Sequence, residues 1–168
     1  AGPTREHEPT ATAWWRDMQT VATGCPGLAA RLDRLGPALS GRRWPFGRWH
    51  GDLAPWNACW VDGRLTVWDW ERSAPSDPLG LDVIHNRVQV DVLRHGTPID
   101  RALTVAADRE AALLERLGHR PGDGPLLAAA YGATLRTRFA VDAEQGPLGA
   151  AGPLAARLDA TATSEDHR

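Results

Sequence analysis

Residues 50–71 read HGDLAPWNACWVDGRLTVWDWE and carry the clearest structural signal in the chain. Two short runs that favour strands, 58–61 and 65–68, flank the dipeptide Asp62-Gly63. This dipeptide favours the type I′ turn of a two-residue hairpin, because both of its positions need a positive φ. The stretch therefore predicts a β-hairpin.

Helical patterns surround this hairpin. A helix is predicted up to Gly24, and the leucines of 28–39 predict a second one. Residues 40–47 read as a loop. Further helices are predicted over 81–96, 97–117 and 125–141, with a weak one at 154–160. The fold class is therefore mainly α with a small β-hairpin. Residues 1–10 are expected to be frayed, 11–160 to form one domain, and 161–168 to be a disordered tail.

Three side chains around the hairpin suit phosphoryl-transfer chemistry. Asp52 and Asn57 precede its first strand, and Asp69 follows its second. Antiparallel pairing should return Asp69 close to Asn57. A carboxylate can receive or orient the proton of a hydroxyl nucleophile, while carboxylate and amide oxygens can hold Mg²⁺. One candidate site is thus expected around a single local element.

Composition narrows the classes of partner. The chain has 19 basic and 21 acidic residues and a sequence pI near 6.3. This balance gives no electrostatic reason to expect nucleic acid or an anionic membrane surface as partner. No apolar stretch approaches the roughly 20 residues of a membrane span. A soluble, cytoplasmic protein with a small-molecule ligand is the expectation.

The string His50-Gly51-Asp52-Leu53, then Asn57, then Asp69-Trp70-Glu71 resembles a known family. It looks like the H-G-D-x-x-x-x-N and D-W/F-x-x segments of the aminoglycoside phosphotransferases and choline kinases, and it is similar to the protein-kinase loop H-R-D-x-x-x-x-N. The resemblance is strongest over about 48–86. It implies the C-lobe of a protein-kinase-like α+β fold, with a catalytic loop and hairpin at 48–72 and a helical subdomain at 79–160.

The resemblance also implies roles. Asp52 would be the catalytic base or the carboxylate that positions the nucleophile, and His50 would brace the loop through hydrogen bonds to backbone. Asn57 and Asp69 would hold Mg²⁺, with ATP as the phosphoryl donor. Glu71 and Asp82 are weaker candidates for substrate binding. A salt bridge with an arginine would explain Glu71 equally well, and a structural cap would explain Asp82.

The acceptor would be a hydroxyl of a small molecule, such as an aminoglycoside, an amino alcohol or a sugar. All 19 basic residues are arginine, so the strand lysine that anchors ATP in such kinases has no counterpart here. The N-lobe that carries this lysine is expected to be missing from these residues, and the chain alone is expected to be inactive.

Two other functions remain open from the sequence. One is a pseudokinase-like module that binds a metabolite or a partner but transfers nothing. The other is a metal-dependent hydrolase that uses Asp52 and Asp69. Four tryptophans of the hairpin region are expected to serve hairpin and core packing rather than ligand stacking: Trp56, Trp60, Trp68 and Trp70.

Overall fold

The computed structural model describes residues 4–144, with side chains to residue 142. The weak helix expected at 154–160 and the tail expected at 161–168 lie outside the described residues. Six α-helices are present in the described part: α1 Ala13–Ala22, α2 Pro26–Leu39, α3 Leu81–Gln89, α4 Ile99–Arg109, α5 Ala111–Arg116 and α6 Gly124–Glu144. Five strands accompany them: β1 Arg5–His7, β2 Trp44–Trp49, β3 Ala58–Val61, β4 Arg64–Val67 and β5 Ala74–Pro78.

The predicted hairpin is confirmed. Strands β3 and β4 pair in an antiparallel register that runs from Ala58 opposite Val67 to Val61 opposite Arg64. Asp62 and Gly63 have φ values of 48° and 71°, as a type I′ turn requires. The mainly helical character with small antiparallel sheets is confirmed as well.

A second sheet, with strand order β1-β2-β5, corrects two expectations from the sequence. Strand β2 covers much of the segment that reads as a loop, and β1 lies in the segment that reads as frayed. The two glycines, the proline and the arginines of 40–48 hide the strand signal, although Trp44 and Phe46 are both buried. Strand β1 has only three residues and no apolar alternation, so its pairing with β2 is visible only in three dimensions.

The helices match their patterns, with one correction. Helix α3 continues through a π-helical turn at Val90–Arg94, within the predicted limit at residue 96. The helix predicted over 97–117 is two helices, because the chain leaves helical geometry at Glu110 (φ −95°, ψ 5°).

Helix α6 packs against four other helices, α1 to α4. Its buried residues include Leu127, Tyr131 and Leu135, and the four leucines predicted to form the inner stripe of α2 are also buried: Leu28, Leu32, Leu35 and Leu39. No helix within residues 4–144 is both long enough and apolar enough to cross a membrane.

The tryptophans of the hairpin region depart from their expected place in the core. Trp56, Trp60, Trp68 and Trp70 are between 43% and 73% exposed. Strand alternation does place side chains on two faces, but the described residues cover neither face of this hairpin with helical core. The apolar core instead uses the tryptophans of α1 and β2, which are Trp14, Trp15, Trp44 and Trp49.

Candidate active site

The site begins at a sharp bend that only glycine fits. Gly51 has φ +89°, a conformation that side chains with a Cβ rarely adopt. A Cβ at this position would also overlap the main-chain oxygen of Arg72. The chain therefore turns tightly between His50 and Asp52, and the turn lies against the segment that leaves the hairpin.

Asp82, near the start of α3, stabilises this bend through hydrogen bonds to its backbone. Its carboxylate accepts the backbone N–H of His50 at 2.9 Å and that of Gly51 at 3.2 Å. Burial raises the pKa of Asp82, and the two N–H donors act against that rise. Asp82 thus touches the backbone of the loop, which is the structural-cap alternative left open by the sequence.

His50 braces the loop through backbone hydrogen bonds, as the resemblance implies. Its Nδ1 lies 3.2 Å from the amide nitrogen of Asp52 and must accept that N–H. Its Nε2 therefore carries the proton and donates to the carbonyl oxygen of Trp68 at 2.9 Å. His50 in this way links the loop before the hairpin to the segment after it, and its ring lies 4.5 Å from that of Trp70.

The carboxylate of Asp52 is held from two sides. Oδ1 lies 3.0 Å from Nε2 of His85, and Oδ2 accepts a hydrogen bond from Nδ2 of Asn57 at 3.1 Å. Burial acts to raise the pKa of Asp52, but the contacts with His85 and Asn57 and the charge of Arg138 outweigh it and hold the pKa below its usual range. The side chain is still 32% exposed, so a ligand can reach it.

Asn57 has its amide nitrogen fully engaged. Nδ2 donates to the main-chain oxygen of Asp52 at 2.9 Å and to Oδ2 of the same residue. An amide has two N–H donors, so this pair uses both and leaves the carbonyl oxygen for another ligand. The hydrogen bonds within the loop therefore orient the Asn57 amide so that its oxygen can act as a ligand.

Asp69 lies at the other end of the hairpin. The backbone N–H of Trp68 donates to the carbonyl oxygen of Asn57 at 3.2 Å. Asp69 is the next residue after Trp68, so its backbone lies close to that of Asn57. Asp69 is exposed and has a left-handed backbone (φ 65°, ψ 54°), which Asp tolerates better than most residues. The pairing thus brings the backbones of the two proposed metal ligands to one end of the hairpin.

Glu71 is exposed in a short 3₁₀ turn, Trp70–Arg72. Within residues 4–142 it forms no salt bridge, so the arginine pairing considered for it is not present there. Its neighbour Arg72 instead pairs with Asp142 on α6 at 2.7 Å.

Two residues that the sequence did not single out contact the loop from the helices. Arg138 on α6 donates to the carbonyl oxygen of Gly51 at 2.5 Å, and its guanidinium lies 4.3 Å from the ring centroid of Trp49. Burial lowers the pKa of Arg138. His85 on α3 contacts Asp52 directly. Both come from helices outside the motif, so no local spacing in the sequence could have identified them.

The residues present suit Mg²⁺ chemistry. Among the residues that the structure describes, no cluster of three or more His, Cys, Asp or Glu side chains could hold a metal. An amide oxygen and a carboxylate are nonetheless a normal protein contribution for Mg²⁺, which keeps several waters and binds substrate phosphates. The donor set of Asn57 and Asp69 therefore fits a shared magnesium–nucleotide site rather than a metal cage.

Comparison with known proteins identifies one family. Residues 2–80 match the model of the phosphotransferase enzyme family, a span that includes His50, Asp52, Asn57, Asp69 and Glu71. The match confirms the resemblance seen in the sequence. No curated protein and no solved structure matches the chain.

Proposed function

Because residues 2–80 match the model of the phosphotransferase enzyme family, we propose that this chain supplies the catalytic loop of an ATP- and Mg²⁺-dependent kinase acting on a small-molecule hydroxyl. An aminoglycoside, an amino alcohol or a sugar would fit this class of acceptor. The observation that carries the proposal is the state of Asp52. Its carboxylate is ionised, hydrogen-bonded on both oxygens and still open to solvent.

A carboxylate with a lowered pKa is a weak base. Asp52 is therefore better suited to positioning the acceptor hydroxyl than to removing its proton before transfer begins. Phosphoryl transfer passes through a loose transition state, so the nucleophile needs little deprotonation before the bond to phosphorus forms. Asp52 accepts a hydrogen bond from the acceptor hydroxyl and receives its proton as the transfer proceeds. The two hydrogen bonds from the protein hold the carboxylate in one orientation for this task.

Asn57 and Asp69 would hold Mg²⁺ beside the nucleotide phosphates. The metal would supply charge neutralisation for the transferring phosphoryl group. Asn57 offers a neutral oxygen and Asp69 a charged one, which limits the negative charge placed next to ATP. His50 and Asp82 hold the backbone of residues 50–52, and His50 also bonds to the carbonyl oxygen of Trp68, next to Asp69.

The ATP-binding lysine would come from outside these 168 residues, because all of their basic residues are arginine. A guanidinium is a planar fork and replaces a compact ammonium poorly. We therefore include in the proposal that an N-lobe completes the site and that these residues alone turn over little or no ATP. A cytoplasmic location, where ATP is available, belongs to the same proposal.

The second candidate function is a pseudokinase-like module that binds a metabolite or a partner protein. The absence of lysine and the exposure of four tryptophans around the hairpin favour it. In this case the loop would keep its hydrogen bonds without performing transfer.

Nucleotide binding and turnover by the natural protein that carries these residues separate the two functions. We expect Mg²⁺-dependent ATP binding, and a loss of turnover of about 10²- to 10⁴-fold in Asp52→Ala with ATP binding retained. Asp108→Ala removes an exposed carboxylate on α4 and is the matched control, with unchanged turnover. A protein that binds neither ATP nor Mg²⁺ would exclude the kinase and favour the binding module.

A further inference from the structure

His85 lies inside the protein, between the candidate catalytic carboxylate and the only tyrosine of the chain. It is on α3 and is 2% exposed. Its Nε2 is 3.0 Å from Oδ1 of Asp52, and its Nδ1 is 2.9 Å from the hydroxyl of Tyr131 on α6. Both ring nitrogens are therefore engaged, and a continuous chain of contacts runs from the core to Asp52.

The chemistry of the two partners fixes where the protons lie. An ionised carboxylate only accepts, so Nε2 of His85 must donate to Asp52. In the Nε2–H tautomer Nδ1 accepts, and the hydroxyl of Tyr131 donates to it. Burial raises the pKa of Tyr131 well above its usual range, so the hydroxyl keeps the proton that it donates.

Gln89 supports the same assignment. One turn along α3, its Nε2 is 3.2 Å from Nε2 of His85, which would set two donors against each other. Its Oε1 is buried without a hydrogen-bond partner. The two ends of an amide are assigned from their hydrogen bonds, and exchanging them resolves the conflict because Oε1 would face the N–H of His85. Gln89 then becomes a second acceptor for the same proton.

We propose that His85 is a positioning residue for Asp52, held in its Nε2–H tautomer by Tyr131. This inference rests on the proposed function for the role of Asp52, but the tautomer and its contacts can be tested without turnover. His85 fixes Oδ1 while Asn57 fixes Oδ2, so the carboxylate cannot rotate. Since Asn57 is oriented by the same carboxylate, His85 also holds the amide that would face the metal.

The tautomer is tested on the ¹⁵N-labelled chain by long-range proton–nitrogen correlation of the His85 ring near neutral pH. We expect the proton on Nε2 and a bare Nδ1. In Asp52→Ala the ring loses its charged acceptor, so the Nε2 shift should move, while Tyr131 and Gln89 keep the proton on Nε2. A proton on Nδ1 in the wild-type chain, or a ring spectrum unchanged by Asp52→Ala, would overturn the proposal.

The positioning role is tested through the side-chain NH₂ resonances of Asn57, which report its hydrogen bond to Asp52. His85→Leu removes the donor, whereas His85→Gln keeps an N–H near the position of Nε2. We expect the Asn57 signals to shift in His85→Leu and to return close to their wild-type positions in His85→Gln. Equal shifts in both variants would refute the role.

Thr134→Val is the matched control for disturbing buried polar contacts nearby. Thr134 is one turn along α6 from Tyr131, and its hydroxyl is buried and accepts from Trp14. The variant should leave the Asn57 and His85 resonances in place. If His85→Leu fails to fold, the wild-type tautomer and its response to Asp52→Ala still decide the question. ATP binding does not enter either readout, so a failed kinase function and a failed positioning role remain distinguishable.

Discussion

Residues 50–57 and the hairpin of β3 and β4 are neighbours in the chain, yet they are held in different ways. The loop is fixed by side chains from α3 and α6, namely Asp82, His85, Asn86 and Arg138. The hairpin is held by its own ladder and turn, and its tryptophans face solvent. One region takes its geometry from the core and the other from its local sequence.

This difference divides the candidate site. Asp52 and Asn57 belong to the buried, helix-held side, where every contact limits rotation. Asp69 belongs to the exposed side, where backbone pairing and its own left-handed conformation set its place within residues 4–144. Asp52, the proposed proton acceptor, is thus preorganised, whereas Asp69, one of the two proposed metal ligands, is held less tightly.

Glycine substitutions test this contrast most strongly. In Gly51→Ala the new methyl group meets the carbonyl oxygen of Arg72 in addition to the strain of a positive φ, so we expect a loss of about 3 kcal/mol or more in the free energy of unfolding. In Gly63→Ala the φ is also positive but no atom lies within 4 Å, so about 1 kcal/mol is expected.

Chemical denaturation of the two variants measures the difference directly. Gly63→Ala is the control for backbone strain alone, and the excess loss in Gly51→Ala reports the clash under the loop of residues 50–57. Equal losses in the two variants would mean that the loop is no more tightly held than the hairpin.

The same contrast explains what could be predicted from the sequence. The hairpin, its turn and the leucine stripe of α2 follow from short-range pattern, because their geometry is set by neighbours in the chain. His85 and Arg138 could not be found this way, since they reach the loop across 33 and 87 residues of sequence. Strands β1 and β2 were missed for a related reason: each is stabilised by pairing with a distant segment.

Burial of a carboxyl group beside Arg138 should make the free energy of unfolding depend on pH. Asp77 on β5 has its pKa raised from 3.8 to about 6, mainly by burial, with the charge of Arg138 opposing the rise. Between these values the folded chain binds more protons than the unfolded chain, so stability falls as pH rises from about 4 to about 6. Asp77→Asn should remove this loss and raise the free energy of unfolding at pH 7 by about 2 to 3 kcal/mol.

Denaturation of the wild-type chain and Asp77→Asn across this pH range measures the effect. Asp62→Asn, at the exposed turn of the hairpin, is the matched control and should leave the pH dependence as it is. If Asp77→Asn were no more stable than wild type at pH 7, burial would not be governing the ionisation of this carboxylate.

The smallest effect is expected on the exposed face of the hairpin. Trp60 is 73% exposed and lies opposite Leu65, so Trp60→Thr removes a cross-strand contact and little else. Its expected cost is under about 1 kcal/mol. Trp44→Ala, at a fully buried tryptophan of β2, should lower the free energy of unfolding by about 3 to 5 kcal/mol. It is the reference for loss of core packing in the same assay.

A large loss in Trp60→Thr would contradict the division between the two regions, because the hairpin would then depend on the packing of this side chain as the core depends on Trp44. A small loss would have the opposite meaning. Groups of large apolar side chains that are exposed and contribute little to stability are typical of sites of contact with another molecule. The hairpin would then be the part of the site that is completed by binding, while the loop beside it is complete on folding.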